Sequence, residues 1–321
     1  MRITIPLTLL LLFVNLLGIP LTAYDRIKVV ATIEPLALIV RDIGGDRVDV
    51  FTIVPAYMDP HVYAPKPEDR ILVERADILV CIGREEFLGY FEGPPAIKLG
   101  WENWSRSMYI PGGNPHYVWL FPRNAAIIAE AIYRVLSSID PDGRDYYAYR
   151  LEHFNKSLQG LDEWIEAYKR AYMLSRVKVA LAGSHMEPLL EYLDIEITGI
   201  LIRGEKAVAP RDIAEFRNSA ISADAILVHL LEYELDEGRI ASEISKEIEV
   251  PIMVFNPLPA GCEDSYIEYI KVISYGLLAS LANVKLGYSS RAASPTLCIA
   301  AVASLTATSI LLLFLVVRYR R

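Results

Sequence analysis

The sequence predicts an α/β protein of two lobes, each a mostly parallel sheet flanked by helices, joined by one long spine helix. Three observations lead there. Short β-branched runs alternate with amphipathic stretches in both halves of the chain, the pattern of a parallel sheet with crossover helices. One uninterrupted polar–apolar periodic stretch, 142–175, separates the halves. The excess of apolar residues sits at the two chain ends, outside the alternating region.

In the first half, 27–33 is a β-branched run, and the amphipathic stretch from Pro35 ends at Gly44-Gly45. A second strand is predicted over 48–54, a helix over 67–76, a strand over 78–82, and a helix from Asn124 to about Ser138. In the stretch 142–175, Tyr146, Tyr149, Leu151, Phe154, Leu158, Leu161, Trp164, Ile165 and Tyr168 recur mainly at spacings of three and four, the period of an amphipathic helix. At ~1.5 Å per residue it spans about 50 Å, longer than either half needs, and so reads as a spine. The alternation then restarts. Strands are predicted over 177–182, 195–201, 225–231 and 252–255, with helices over 187–193, 210–223, 238–248 and 264–282.

The ends read as targeting and anchoring segments. Met1-Arg2, an apolar run from Leu7 to Leu17, and Leu21-Thr22-Ala23 have the form of an export signal cleaved near Ala23. Residues 297–317 carry no charge and are followed by Arg318-Tyr-Arg-Arg321. That is long enough for a bilayer core of ~30 Å, with a basic stop-transfer flank that belongs in the cytoplasm. The predicted organisation is a signal peptide 1–23, an N-terminal lobe 24–141, the spine 142–175, a C-terminal lobe 176–290, a transmembrane anchor 297–317 and a cytoplasmic tail 318–321. The folded part then faces outward from the cell membrane. These ends account for a mean hydropathy of +0.28, a positive value that is unusual for a soluble globular protein.

Residues 24–290 hold all 40 acidic residues but 27 of the 32 basic ones, a net charge of −13. Such a surface is a poor partner for nucleic acid and suits a cation better. Three cysteines make no disulfide framework. Cys81 lies in a predicted buried strand, Cys262 in a loop and Cys298 in the apolar C-terminal segment, so we expect no Cys81–Cys262 bridge. Asn103-Trp-Ser105 and Asn155-Lys-Ser157 are glycosylation sequons.

The five histidines differ in setting. His61 and His116 lie in Pro-rich and Gly/Pro-containing loops, and His185 follows the strand 177–182 directly. Each is at or near the carboxyl end of a strand or in a loop opening into a helix, where open α/β sheets hold ligands. His153 is on a charged stretch of the spine and reads as solvated surface. His229 is inside a predicted strand and reads as a packed residue. Asp264, at the start of the last helix, adds a carboxylate, with Glu263 as a competitor and helix capping as its ordinary role. Three imidazoles and one carboxylate form a donor set suited to Zn²⁺, with Mn²⁺ or another divalent ion possible.

Several stretches carry a family resemblance. Val29-Val-Ala-Thr-Ile-Glu-Pro-Leu36, Asp42-Ile-Gly-Gly-Asp-Arg-Val48, Asp59-Pro-His-Val-Tyr-Ala-Pro-Lys-Pro-Glu-Asp69 and Arg75-Ala-Asp-Ile-Leu-Val-Cys-Ile-Gly83 lie in the first half. Asn114-Pro-His116, Gly183-Ser-His185, Ala209-Pro-Arg-Asp-Ile213 and Asp264-Ser-Tyr-Ile-Glu-Tyr269 follow in order. Together, over about 27–283, they resemble the zinc/manganese solute-binding proteins of ABC importers. The resemblance implies two α/β lobes on a rigid helix and metal ligands at His61, His116, His185 and Asp264. It also implies, as partners, an ABC permease with its cytoplasmic ATPase, and a metal carried as transported ligand by a monomer. The chain departs from the family at His116-Tyr-Val-Trp-Leu-Phe-Pro122, which has one extra residue and no Asp where the family has His-x-Trp-Leu-Asp-Pro. It also lacks a His-rich loop after His61 and a lipid-bearing Cys. His185 stands where manganese-specific relatives tend to carry Glu, which leans toward zinc.

Two rival readings make different demands. A surface-anchored zinc hydrolase needs three protein ligands, an open water position and a base, for which Glu187 or Glu263 would serve. A metal-stabilised adhesin needs a closed structural site. No His-Glu-x-x-His, Gly-x-Ser-x-Gly or phosphate-loop motif is present.

Overall fold

The computed structural model describes residues 26–285, apart from 57, 59, 92, 94–96, 111–116, 205–206, 260 and 262. The expected signal peptide and membrane anchor therefore lie outside the described residues. Within them, no helix is long and apolar enough to cross a membrane.

The first lobe is built from β1 (Ile27–Ala31), α1 (Glu34–Gly44), β2 (Val48–Thr52), α2 (Pro67–Glu74), β3 (Ile78–Val80), β4 (Ile97–Leu99), α3 (Trp101–Trp104) and α4 (Pro122–Ile139). The spine is α5 (Arg144–Ala171). The second lobe contains β5 (Lys178–Gly183), α6 (Glu187–Tyr192), β6 (Glu196–Ile202), α7 (Pro210–Ala220), β7 (Ala225–His229), α8 (Asp236–Ile248), β8 (Ile252–Phe255) and α9 (Tyr266–Lys285). Pro35, Pro67, Pro122, Pro188 and Pro210 each open a helix, where a missing N–H costs nothing and the fixed φ is already helical.

Both sheets have the same order, β2-β1-β3-β4 and β6-β5-β7-β8, and every strand pair described is parallel. The same device sets both registers. Asp77, just before β3, accepts the backbone N–H of Lys28 at 2.8 Å, and Asp224, just before β7, accepts that of Lys178 at 2.8 Å. The two lobes thus share a plan that no sequence repeat announces.

The structure moves several predicted boundaries. The spine is helical over Arg144–Ala171, not 142–175, because Met173 turns left-handed at φ 52°. At ~1.5 Å per residue it is about 42 Å long. The strand predicted over 225–231 ends at His229, and residues Leu230–Glu232 form a 3₁₀ turn instead. The last helix begins at Tyr266 rather than at 264. The three-residue β4 and the four-residue α3 are too short to show a period and have no counterpart in the sequence reading.

One apolar core runs through both lobes. It joins Val30 and Leu79 of the first sheet, through Leu151, Phe154 and Leu161 of the spine, to Leu181 and Leu227 of the second. Helix α1 is buried on most of its surface, between the first sheet, α4 and α5. Helix α9 leaves the second lobe and packs back on α5 and α1. There the Tyr266 hydroxyl donates to the Trp119 carbonyl at 2.5 Å, and its backbone N–H donates to the Asp42 carboxylate at 2.9 Å. A second, smaller core lies between α7, α8 and the outer face of the second sheet.

The Asp42 contact carries a titratable cost. Burial pushes its carboxyl up to about 7, although the Tyr266 N–H and the guanidinium groups of Arg150 and Arg41 pull it down. A carboxyl raised on folding favours the protonated native state. Its contribution is complete below the ordinary value of 3.8 and is lost as the pH rises through 7. Asp42→Asn keeps an acceptor for Tyr266 and cannot ionise. Thermal melts should show it more stable than wild type near pH 8, with the difference closing toward pH 4.

Candidate metal centre

In each sheet the strand order reverses at the first strand, so chain segments leaving adjacent strands diverge and open a crevice at the carboxyl ends. The two crevices face one another as a cleft of about 540 Å³. His61, Tyr117, His185, His229, Glu232 and Glu237 are among the side chains lining it.

His61 sits in a 3₁₀ turn, Pro60–Val62, in the segment after β2. The loops behind it are tied together by Glu85, whose carboxylate accepts the Thr32 hydroxyl and the backbone N–H groups of Ile82, Gly83 and Arg84 at 2.5–3.0 Å. His185 sits in the turn Ser184–Met186, directly after β5. The two rings lie 6.2 Å apart, centroid to centroid. Two imidazoles on one tetrahedral Zn²⁺ place their centroids roughly 5 Å apart, so the pair stands slightly wide of a bound geometry. Tyr117 packs beside two of the histidines, with its ring 5.0 Å from His185, 5.6 Å from His229 and stacked 4.9 Å from Trp119.

The predicted ligands are thus placed unequally. His61 and His185 come together across the cleft. His116 lies outside the described residues. Asp264 is exposed in the approach to α9 and is not among the cleft-lining residues. The cap of α9 is Ser265, whose hydroxyl accepts the Glu268 N–H at 3.1 Å, so Asp264 is not committed to that role. The loop before it does border the His61 region, since Leu258 and Pro259 share a small cavity with Pro60 and Trp119. Among the described residues, no three His, Cys, Asp or Glu side chains stand close enough to form a complete ligand group. His153 is exposed on α5 and opens toward Asp42, in a different cavity.

The carboxylate that does meet a predicted ligand is Glu232. It is 6% exposed, and one oxygen bonds the Nδ1 of His185. It closes the turn that follows β7, the strand beside β5, as His185 does after β5 itself. The sequence reading missed it because extending the strand to residue 231 hid the turn. Nearby, burial raises the Glu237 carboxyl above its ordinary range, and the negative charges of Glu232 and Asp236 add to this. A cation in the cleft would relieve that repulsion. Glu187 is occupied elsewhere, since both its oxygens pair with the Arg203 guanidinium at 2.6 and 2.9 Å.

Residues 29–279 match the family described as ZnuA, zinc-uptake complex component A, periplasmic. The chain belongs to this family. The family is a solute-binding component of transporters and not an enzyme family.

Among curated relatives, the manganese ABC transporter substrate-binding lipoprotein PsaA of Streptococcus anginosus is 27% identical over 186 residues, 49% of this chain and 58% of that protein. The metal ABC transporter substrate-binding lipoprotein SsaB of Streptococcus sanguinis is 31% identical over 164 residues, 43% and 50% of the two chains. The chain thus spans about half the length of the curated relatives it matches. Among solved structures, a Mn-bound periplasmic metal binding protein from Candidatus Liberibacter asiaticus aligns with a TM-score of 0.64 at 17% identity, over 80% of this chain and all of that one. A crystal structure of ZnuA aligns at 0.64 and 20% identity, over 79% and 99% of the two chains. At these identities the likeness shows the fold.

Cys81 is a buried free thiol, pushed up to about 12 by burial and by the nearby Glu85 charge. A thiol held protonated and out of solvent does not react. Peptide mapping after maleimide treatment should find Cys81 unlabelled in the folded protein and labelled in denaturant.

Proposed function

We propose that this protein captures a divalent transition metal outside the cell and delivers it to an ABC permease driven by a cytoplasmic ATPase. The observation that carries the reading is the facing of His61 and His185 across the cleft, in a family of metal-binding transporter components. The proposed ligand set is His61, His116, His185 and Asp264, with Asp264 brought in by a shift of the loop between Gly261 and α9. Gly261 packs against Ala56, five residues before His61, and Asp264 follows three residues later, within ~10 Å of chain. Zn²⁺ is the preferred cargo, because an imidazole at residue 185 makes the donor set richer in nitrogen than one carrying a carboxylate there. Mn²⁺ is the next choice, and it is the metal named for several relatives.

The chain would act as a monomer, exported by residues 1–23 and held beside its permease by 297–317. The continuous core through the spine favours a small adjustment on binding over a wide domain closure. The hydrolase reading loses one of its candidate bases, since Glu187 is engaged by Arg203.

Metal analysis and chelator competition on the purified protein test the proposal. Binding of Zn²⁺ or Mn²⁺ tighter than about micromolar is expected, weakening as the pH falls through the imidazole range near ~6.5. His61→Ala, His185→Ala and Asp264→Ala should each weaken it strongly, and His153→Ala should not. Binding that ignores Asp264→Ala removes that residue from the set, and no binding by wild type sinks the reading.

A further inference from the structure

We infer that Glu232 is a positioning residue, whose buried carboxylate holds the His185 ring as the Nδ1–H tautomer and directs its Nε2 toward the cleft. This rests on the metal-binding reading for its purpose, though not for its geometry. β5 and β7 are neighbours, paired through Leu181 and Leu227, and the turns that follow them carry His185 and Glu232. The strand pairing therefore delivers the two side chains to one another. A carboxylate only 6% exposed needs a partner for its charge. One Glu232 oxygen finds the His185 Nδ1, and the other has no hydrogen-bond partner among the described residues.

Two neighbours are shaped around this pair. Gly183 has an extended backbone, φ −122° and ψ 161°, that any residue adopts. Its lack of a side chain has another cause, since a Cβ there would stand 2.5 Å from both Glu232 carboxylate oxygens. Glycine at this position admits the carboxylate. His229, the last residue of β7, accepts the Leu231 N–H on its Nδ1 at 3.0 Å. That bond braces the turn presenting Glu232, and it commits His229 to the opposite tautomer. Two histidines 6.0 Å apart therefore have distinct duties, one as ligand and one as brace.

With its Nδ1–H donated to a carboxylate, His185 coordinates through Nε2, with its ring orientation fixed and its basicity raised. Loss of such a partner typically costs about 10–100-fold in metal affinity.

The test uses the full chain labelled with ¹⁵N-histidine, metal-free, at a pH where the rings are neutral. Long-range ¹H–¹⁵N spectra should show His185 protonated on Nδ1 in wild type. Glu232→Gln and Gly183→Ala, which disturb the pair from opposite sides, should both shift it toward Nε2–H, with the fold checked by circular dichroism. In chelator competition with Zn²⁺, Glu232→Gln should weaken binding about 10–100-fold. Glu86→Gln removes the same charge from the cleft lining without touching His185 and should cost much less. An Nε2–H tautomer in wild type, a tautomer unmoved by both variants, or equal losses from Glu86→Gln and Glu232→Gln overturns the inference. An Nδ1–H wild type that binds neither Zn²⁺ nor Mn²⁺ overturns the metal reading and sustains the tautomer assignment.

Discussion

The reversal of strand order beside the first strand of each sheet is the constraint on which the site depends. A parallel strand sends its chain into a crossover helix, on one face of the sheet or the other. Where neighbouring strands send theirs to opposite faces, the loops part and leave a crevice. Both sheets do this between their first and third strands, at β1/β3 and at β5/β7. The segments after β1 and β3 meet at Glu85, and those after β5 and β7 meet at His185 and Glu232. Backbone topology thus sets the place of the cleft, and side chains set its chemistry.

The second constraint is the shared core. Two lobes linked only by a helix could swing freely, but here α9 returns across the spine to α1, and Tyr266 is fully buried where they meet. Its ring lies against Phe154, its hydroxyl is bonded to Trp119 and its backbone to Asp42. Opening the lobes widely would expose this apolar joint and break those bonds. The separation of His61 and His185 is therefore fixed by packing far from the cleft, so under the proposed metal reading little rearrangement is needed on binding.

Electrostatics complete the arrangement. Glu86, Glu232 and Glu237 border the cleft, and burial raises the Glu237 carboxyl from its ordinary value. Glu187 is nearly as buried as Glu232, but Arg203 neutralises it with a two-pronged pair. The difference matters chemically. The paired carboxylate is structural, while those turned to the cleft form a negative field that a cation can satisfy.

Much of this was legible in the sequence. The β-branched runs and the amphipathic stretches between them marked nearly every element of the two lobes, because parallel strands buried on both faces must be apolar throughout. His61 and His185 stood out because each follows a strand, and strand ends are where such sheets bind. Short elements such as Ile97–Leu99 left no periodic trace, and the end of β7 was misplaced by two residues because Leu230 and Leu231 prolong an apolar run into a turn. That small shift concealed Glu232. Hydrophobic pattern by itself indicated the fold class and the spine, since buried positions repeat with the period of each element, and loop position near strand ends singled out His61, His116 and His185. Only the tertiary structure decided that Glu232 meets His185, that Gly183 makes room for it, and that Asp264 stands apart. The first two are contacts between segments well separated along the chain, 47 residues in the case of His185 and Glu232, whose pairing depends on three-dimensional packing.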